Sequence, residues 1–143
     1  MSDPLYAKEL LRLAANAVGA GRLDPFDVEG HAYNPTCGDK ISVTLRLDEQ
    51  GRVTAMAHET SACVLAQASA SILGAQLSGT DRQRVQDLRE AILTMLREGH
   101  PPPAPFADYA ALNGAAPYRN RHTCVLLPID AVLNALNGDR LAS

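Results

Sequence analysis

Residues 40–48, KISVTLRLD, constrain the fold more than any other stretch. Ile41, Val43, Leu45 and Leu47 alternate with Ser42, Thr44, Arg46 and Asp48, the period-two pattern of a strand with one buried and one wet face. The next residues, DEQGR, supply a turn with Gly51, and RVTAMAHET alternates more weakly as the returning partner, so the two runs predict a hairpin. A third, short edge strand is expected around Val28 to Tyr33, inside the Gly-, Pro- and Asp-rich stretch GAGRLDPFDVEGHAYNPTCGD.

The buried face of that hairpin needs cover. With no Trp and only two Phe, the core has to come from Leu, Val, Ile and Ala, which suits small helices on a modest sheet. SDPLYAKELLRLAANAV reads as an amphipathic helix, with Asp3 as cap, Pro4 at its first position and Tyr6, Leu10, Leu13 and Ala17 at helical spacing. SACVLAQASASILGAQLSG is Ala- and Leu-rich and predicts a mostly buried helix ending at Gly79, with Cys63 beside its first turn. Asp81 caps a further helix whose Val85, Leu88, Ile92 and Met95 form one apolar face. After the proline-rich HPPPAPF, a short helix is expected around Asp108 to Leu112. CVLLPIDAVLNALNG predicts a last helix ending near Gly138, with Leu126, Ile129, Leu133 and Leu136 on one side. Proline disrupts a helix interior, so Pro128 pins Cys124 at or just before that helix's N-terminus. The expected class is α+β, about three antiparallel strands against several helices, in one domain spanning 1–143.

Charge and hydropathy exclude several partners. A net charge of −3 without a Lys/Arg cluster gives no electrostatic basis for binding nucleic acid or an anionic membrane, and aromatic platforms for stacking bases are missing. MSDPLYAKELL has an acidic residue where a signal peptide carries positive charge, and no apolar run reaches spanning length, so a cytoplasmic protein is expected.

Three cysteines is an odd number, and a cytosolic thiol is normally reduced, so a disulfide framework explains Cys37, Cys63 and Cys124 poorly. Metal binding, reactivity and plain burial remain. Cys63 and Cys124 both fall at expected helix N-termini, where unpaired N–H groups favour a thiolate; equally, both neighbour apolar residues and fit a core. Cys37 and Asp39 are two apart at the mouth of a strand, so extended backbone turns both toward one centre, whereas a Pro-Thr-Cys-Gly-Asp turn capped by Asp39 accounts for them without a ligand. Of the histidines, His58 is expected on the wet or half-buried face of its strand, His31 and His100 in loops, and His122 near Cys124 as a surface or supporting group. Arg121 is either a surface arginine or a cation that steadies an anionic sulfur.

Read together, NPTCGD, SACVLAQASASIL and RHTCVLLPIDAVLNAL resemble the three cysteine motifs of the U-type iron–sulfur cluster assembly proteins, the IscU/NifU/SufU superfamily. The likeness runs from DPLY to the last helix. Thr123 before the last cysteine, the long Cys63 to Cys124 segment and Arg121 three residues before Cys124 resemble the SufU-like branch. The His/Asn-Pro-Arg-Asn signature usual after the first helix is replaced by LAANAVGAGRL, and Thr123 stands where lysine is common; both departures concern the partner-facing surface.

The resemblance implies an IscU/SufE-like fold and four metal ligands, Cys37, Asp39, Cys63 and Cys124, converging at one exposed end. It implies zinc or a transient [2Fe–2S] cluster there, the three cysteines as cluster ligands, Cys37 as persulfide acceptor and Arg121 as its electrostatic helper. The implied partners are a SufS/IscS-like cysteine desulfurase and iron–sulfur acceptor or carrier proteins. The implied role is that of a scaffold and sulfur acceptor rather than a conventional enzyme. Two alternatives stay open: a zinc-dependent sulfurtransferase that never builds a cluster, and a structural zinc or interaction domain.

Overall fold

The computed structural model describes residues 4–35 and 38–142. In chain order it contains α1 (Pro4–Asn16), β1 (Val28–Asn34), β2 (Asp39–Leu47), β3 (Val53–Ser61), α2 (Val64–Gln76), α3 (Arg82–Glu98), a 3-10 segment (Ala107–Ala115) and α4 (Arg119–Ala142). The expected α+β class, with a three-stranded antiparallel sheet and several helices, is what forms.

β2 is the central strand, paired to β1 and β3. Its register places Val28 opposite Leu45 and Ala32 opposite Ile41 on one side, and Val43 opposite His58 and Ile41 opposite Thr60 on the other. Paired residues share a face, so His58 joins Ile41, Val43 and Leu45 on the inner face. There it is buried, which corrects the expected position on a wet or half-buried face. The outer face is only partly wet. The chain before β1 folds across it: Leu23 N–H donates to Thr44 Oγ1 at 3.0 Å, Leu47 N–H to Asp27 Oδ2 at 2.7 Å, and Arg46 Nε to Pro25 O at 2.9 Å. Thr44 is therefore buried although it belongs to the polar half of the alternation. His31 lies in β1, not in a loop, with Nδ1 2.9 Å from Ser42 Oγ.

The helices start and stop for local reasons. Asp81 caps α3 by accepting from Arg84 N–H at 2.9 Å, as its sequence position predicts. Ala17 adopts a positive φ of 46°, so α1 ends at Asn16 and Ala17 is not part of its apolar face; Asp3 lies outside the described residues. α2 ends at Gln76, before Gly79.

α4 differs most from expectation. It begins at Arg119 and carries Pro128 in its interior, so Cys124 sits in its second turn instead of at its N-terminus. An interior proline costs roughly 3 kcal/mol. Burial of Val125, Leu126, Leu127, Ile129, Ala131, Val132 and Ala135 offsets it. The helix passes between β1 and β2 on one side and α2 and α3 on the other, so the apolar surface is wider than the four-residue stripe. Gly30 permits this approach, because a Cβ there would overlap Ala131 O and Ala135 N. Asn134 Nδ2 donates to His31 O at 2.7 Å and completes the β1–α4 contact.

Candidate metal and sulfur site

The register of β2 and β3 begins to assemble the site. Lys40 pairs with Ser61, so the chain leaves β3 beside the start of β2, and Cys63 becomes the N-cap of α2 next to Asp39. Asp39 belongs to the inner-face set of β2 and is buried. Its Oδ1 accepts the Cys63 backbone N–H at 3.2 Å, tying a strand start to a helix start. Gln67 Nε2 holds the preceding residue by donating to Ala62 O at 2.7 Å.

Cys124 arrives from α4 and is buried at 3% exposure. A carboxylate oxygen of Asp39 and the Sγ atoms of Cys63 and Cys124 all lie within 4.8 Å of one another. Three of the four residues implied by the resemblance are thus brought together. The fourth, Cys37, lies outside the described residues.

The donor set fits a soft divalent ion. Zinc bonds thiolate sulfur at about 2.3 Å and carboxylate oxygen at about 2.0–2.2 Å, so tetrahedral donors stand roughly 3.5–3.8 Å apart. That spacing falls inside the observed limit. Each of the three groups can offer an anionic donor atom, so a cation at their centre is attracted by all three. Two thiols select for zinc or iron–sulfur chemistry, while the carboxylate is a harder and more exchangeable donor than another thiol.

Cys63 is half-buried and opens onto a groove of about 620 Å³. Leu10, Val64, Leu65 and Leu112 line the groove, with Tyr118 and Arg121 as its polar members. Arg121 is exposed, in the first turn of α4. His122 turns away: a carbonyl can only accept, so its Nε2–H donates to Ala116 O at 2.9 Å.

Sequence reasoning missed a buried polar contact between α2, α4 and the 3-10 segment. Ser69 Oγ donates to Val125 O at 2.8 Å and lies 2.8 Å from Tyr109 Oη. The serine was visible in an Ala/Ser-rich helix, but nothing in the sequence pairs it with Tyr109. His58 also proves structural: its Nε2–H donates to Val18 O at 2.9 Å, and its Nδ1 lies 2.8 Å from Thr60 Oγ1. Burial lowers its pKa, an effect only partly countered by the Val18 bond.

The profile of the NifU-like N terminal domain matches residues 5–125. The chain belongs to that family. A crystal structure of a nitrogen-fixing NifU-like protein (N-terminal) from Brucella abortus superposes with a TM-score of 0.86 at 32% identity, covering 96% of both chains. The iron-sulfur cluster assembly scaffold protein IscU of Thermotoga maritima is 26% identical over 92% of each chain. The zinc-dependent sulfurtransferase SufU of Bacillus subtilis is 29% identical over 87% of this chain and 84% of its own. The superfamily resemblance carried by the three cysteine motifs therefore holds, with both IscU and SufU among the relatives. Among the described residues, no helix is long and apolar enough to cross a membrane.

Proposed function

We propose that this protein is an iron–sulfur cluster assembly protein that accepts sulfur from a cysteine desulfurase and transiently holds zinc or a [2Fe–2S] cluster for delivery to acceptor proteins. The observation that carries the reading is the convergence of Asp39, Cys63 and Cys124 within 4.8 Å, two thiols with a carboxylate in the company where a storage site would use another thiol. Cys37, two residues before Asp39 in the sequence, completes the ligand set and accepts the sulfur. Its thiolate attacks the outer sulfur of a persulfide on the partner; the new S–S bond forms on Cys37, and the partner's inner sulfur leaves as thiolate. Arg121, on the rim of the groove that exposes Cys63, stabilises anionic sulfur during this exchange.

Anaerobic reconstitution with iron and sulfide tests the reading. The expected result is a [2Fe–2S] absorption spectrum that Cys63→Ser abolishes. Absence of cluster, zinc and persulfide from the wild-type protein would overturn it.

A second reading is a zinc-dependent sulfur relay. The shared groove of Arg121 and Cys63 and the SufU relative favour it. Metal analysis of protein purified without reconstitution separates the two: stoichiometric zinc that supports desulfurase turnover means relay, and iron with acid-labile sulfide means scaffold. If the metal is merely structural, a chelator that strips it unfolds the protein.

A further inference from the structure

Asp39 and Cys63 are coupled directly, through the Cys63 N–H bond and the short step from β3 into α2. Cys124 comes from a different helix. Its distance from Cys63 is a matter of how α2 lies on α4. Apart from Ser69 and Ser71, the buried residues of α2 are apolar, Ala66, Ala68, Ala70, Ile72 and Leu73, and apolar groups pack without a directional preference. A hydrogen bond to a carbonyl has one.

Ser69 supplies that direction. Its hydroxyl proton goes to Val125 O, the residue after Cys124, because a carbonyl can only accept. With that proton committed, Tyr109 is the donor in the 2.8 Å contact between the two hydroxyls, and the phenol also reaches Ser69 O at 3.2 Å. Ser69 and Tyr109 are both fully buried. Burial raises the Tyr109 pKa, so the phenol stays protonated and able to donate. The chain Tyr109 to Ser69 to Val125 thus joins the 3-10 segment, α2 and α4 at the residue that follows Cys124.

We propose that Ser69, supported by Tyr109, is a positioning residue that sets the separation of Cys63 and Cys124, and with it the affinity and coordination geometry of the metal these thiols hold. The inference rests on the metal-binding reading above. Ser71 provides a matched control. It is equally buried on the same helix, but its Oγ accepts Val18 N–H at 3.0 Å, in the turn that follows α1.

The test is zinc affinity by chelator competition, together with the absorption spectrum of the cobalt(II)-substituted protein. Ser69→Ala is expected to weaken zinc binding about tenfold, the low end of what supporting residues around metal ligands contribute, and to shift the cobalt ligand-field bands. Tyr109→Phe is expected to move both readouts in the same direction by less, since Ser69 keeps its bond to Val125. Ser71→Ala is expected to lower the melting temperature while leaving affinity and spectrum at wild-type values. Wild-type affinity and spectrum in Ser69→Ala, or an equal shift in Ser71→Ala, would overturn the positioning role alone. A wild-type protein that binds neither zinc nor cobalt through its thiols overturns the metal-binding reading and this inference with it. If Ser69→Ala does not fold, Tyr109→Phe decides by the same spectral criterion.

Discussion

The β2–β3 hairpin has an aspartate at each end, and the two are used in opposite ways. At the turn, Asp48 is saturated by its own neighbours: Oδ1 accepts from the Gln50 and Arg52 N–H groups, both at 2.9 Å, and Oδ2 from Arg52 Nε at 3.0 Å. These bonds, the Arg52 backbone N–H foremost, hold its pKa below the usual carboxylate range. At the open end, Asp39 takes its backbone donor from Cys63, 24 residues away, and lies beside two thiols. One carboxylate closes a loop. The other is presented to a centre that three elements build. A local aspartate stabilises what the chain already does nearby, whereas a long-range one is available for chemistry only after the fold is complete.

That contrast can be broken in graded steps. The largest effect is expected from the thiols beside Asp39: Cys63→Ser and Cys124→Ser should each lower zinc affinity by more than about 100-fold, beyond the range of supporting residues, as read by chelator competition. Asp39→Ala should retain bound cluster and slow its transfer to an acceptor, followed spectroscopically; unchanged transfer kinetics would end the exchangeable-ligand argument.

Gly30→Ala attacks the scaffold that brings α4 to the sheet. The Cβ has no room beside Ala131 O, and urea unfolding should show a loss of about 2–3 kcal/mol, typical of overpacking.

Smaller still is the pH effect of His58. Its pKa is lowered in the folded protein, so the unfolded chain binds the proton more readily. The stability it contributes is complete above the ordinary value of about 6.5 and is lost as pH falls from there through the lower folded value. Denaturation at pH 7 and pH 5 should show this slope, and His58→Gln should flatten it. Asp48→Ala should change least: a slight fall in melting temperature, no change in metal affinity, and loss of the contribution that wild-type Asp48 makes above about pH 4 and gives up as the carboxylate protonates.

The hairpin, the Asp81 cap and the α3 face were legible because each depends on residues close in sequence. The outer face of β2 was not: the alternation marks Thr44 as wet, and only the crossing of residues 20–27 buries it. His58 was misplaced for a related reason. RVTAMAHET alternates weakly, and the strand's face is decided by its register with Val43, which the sequence leaves open.

By itself, the sequence determined the α+β class, the hairpin turn at Gly51 and three cysteine motifs specific enough to indicate the family. Only the tertiary structure decided where Cys124 stands. Local rules put Pro128 near a helix start, because its missing N–H is cheapest there. The packing of α4 against sheet and helices outweighs that cost and carries the helix back to Arg119, so Cys124 reaches Asp39 and Cys63 from a buried second turn. Proline's preference is local and worth a few kcal/mol, while the burial opposing it is summed over a whole helix and exists only once the other elements are in place.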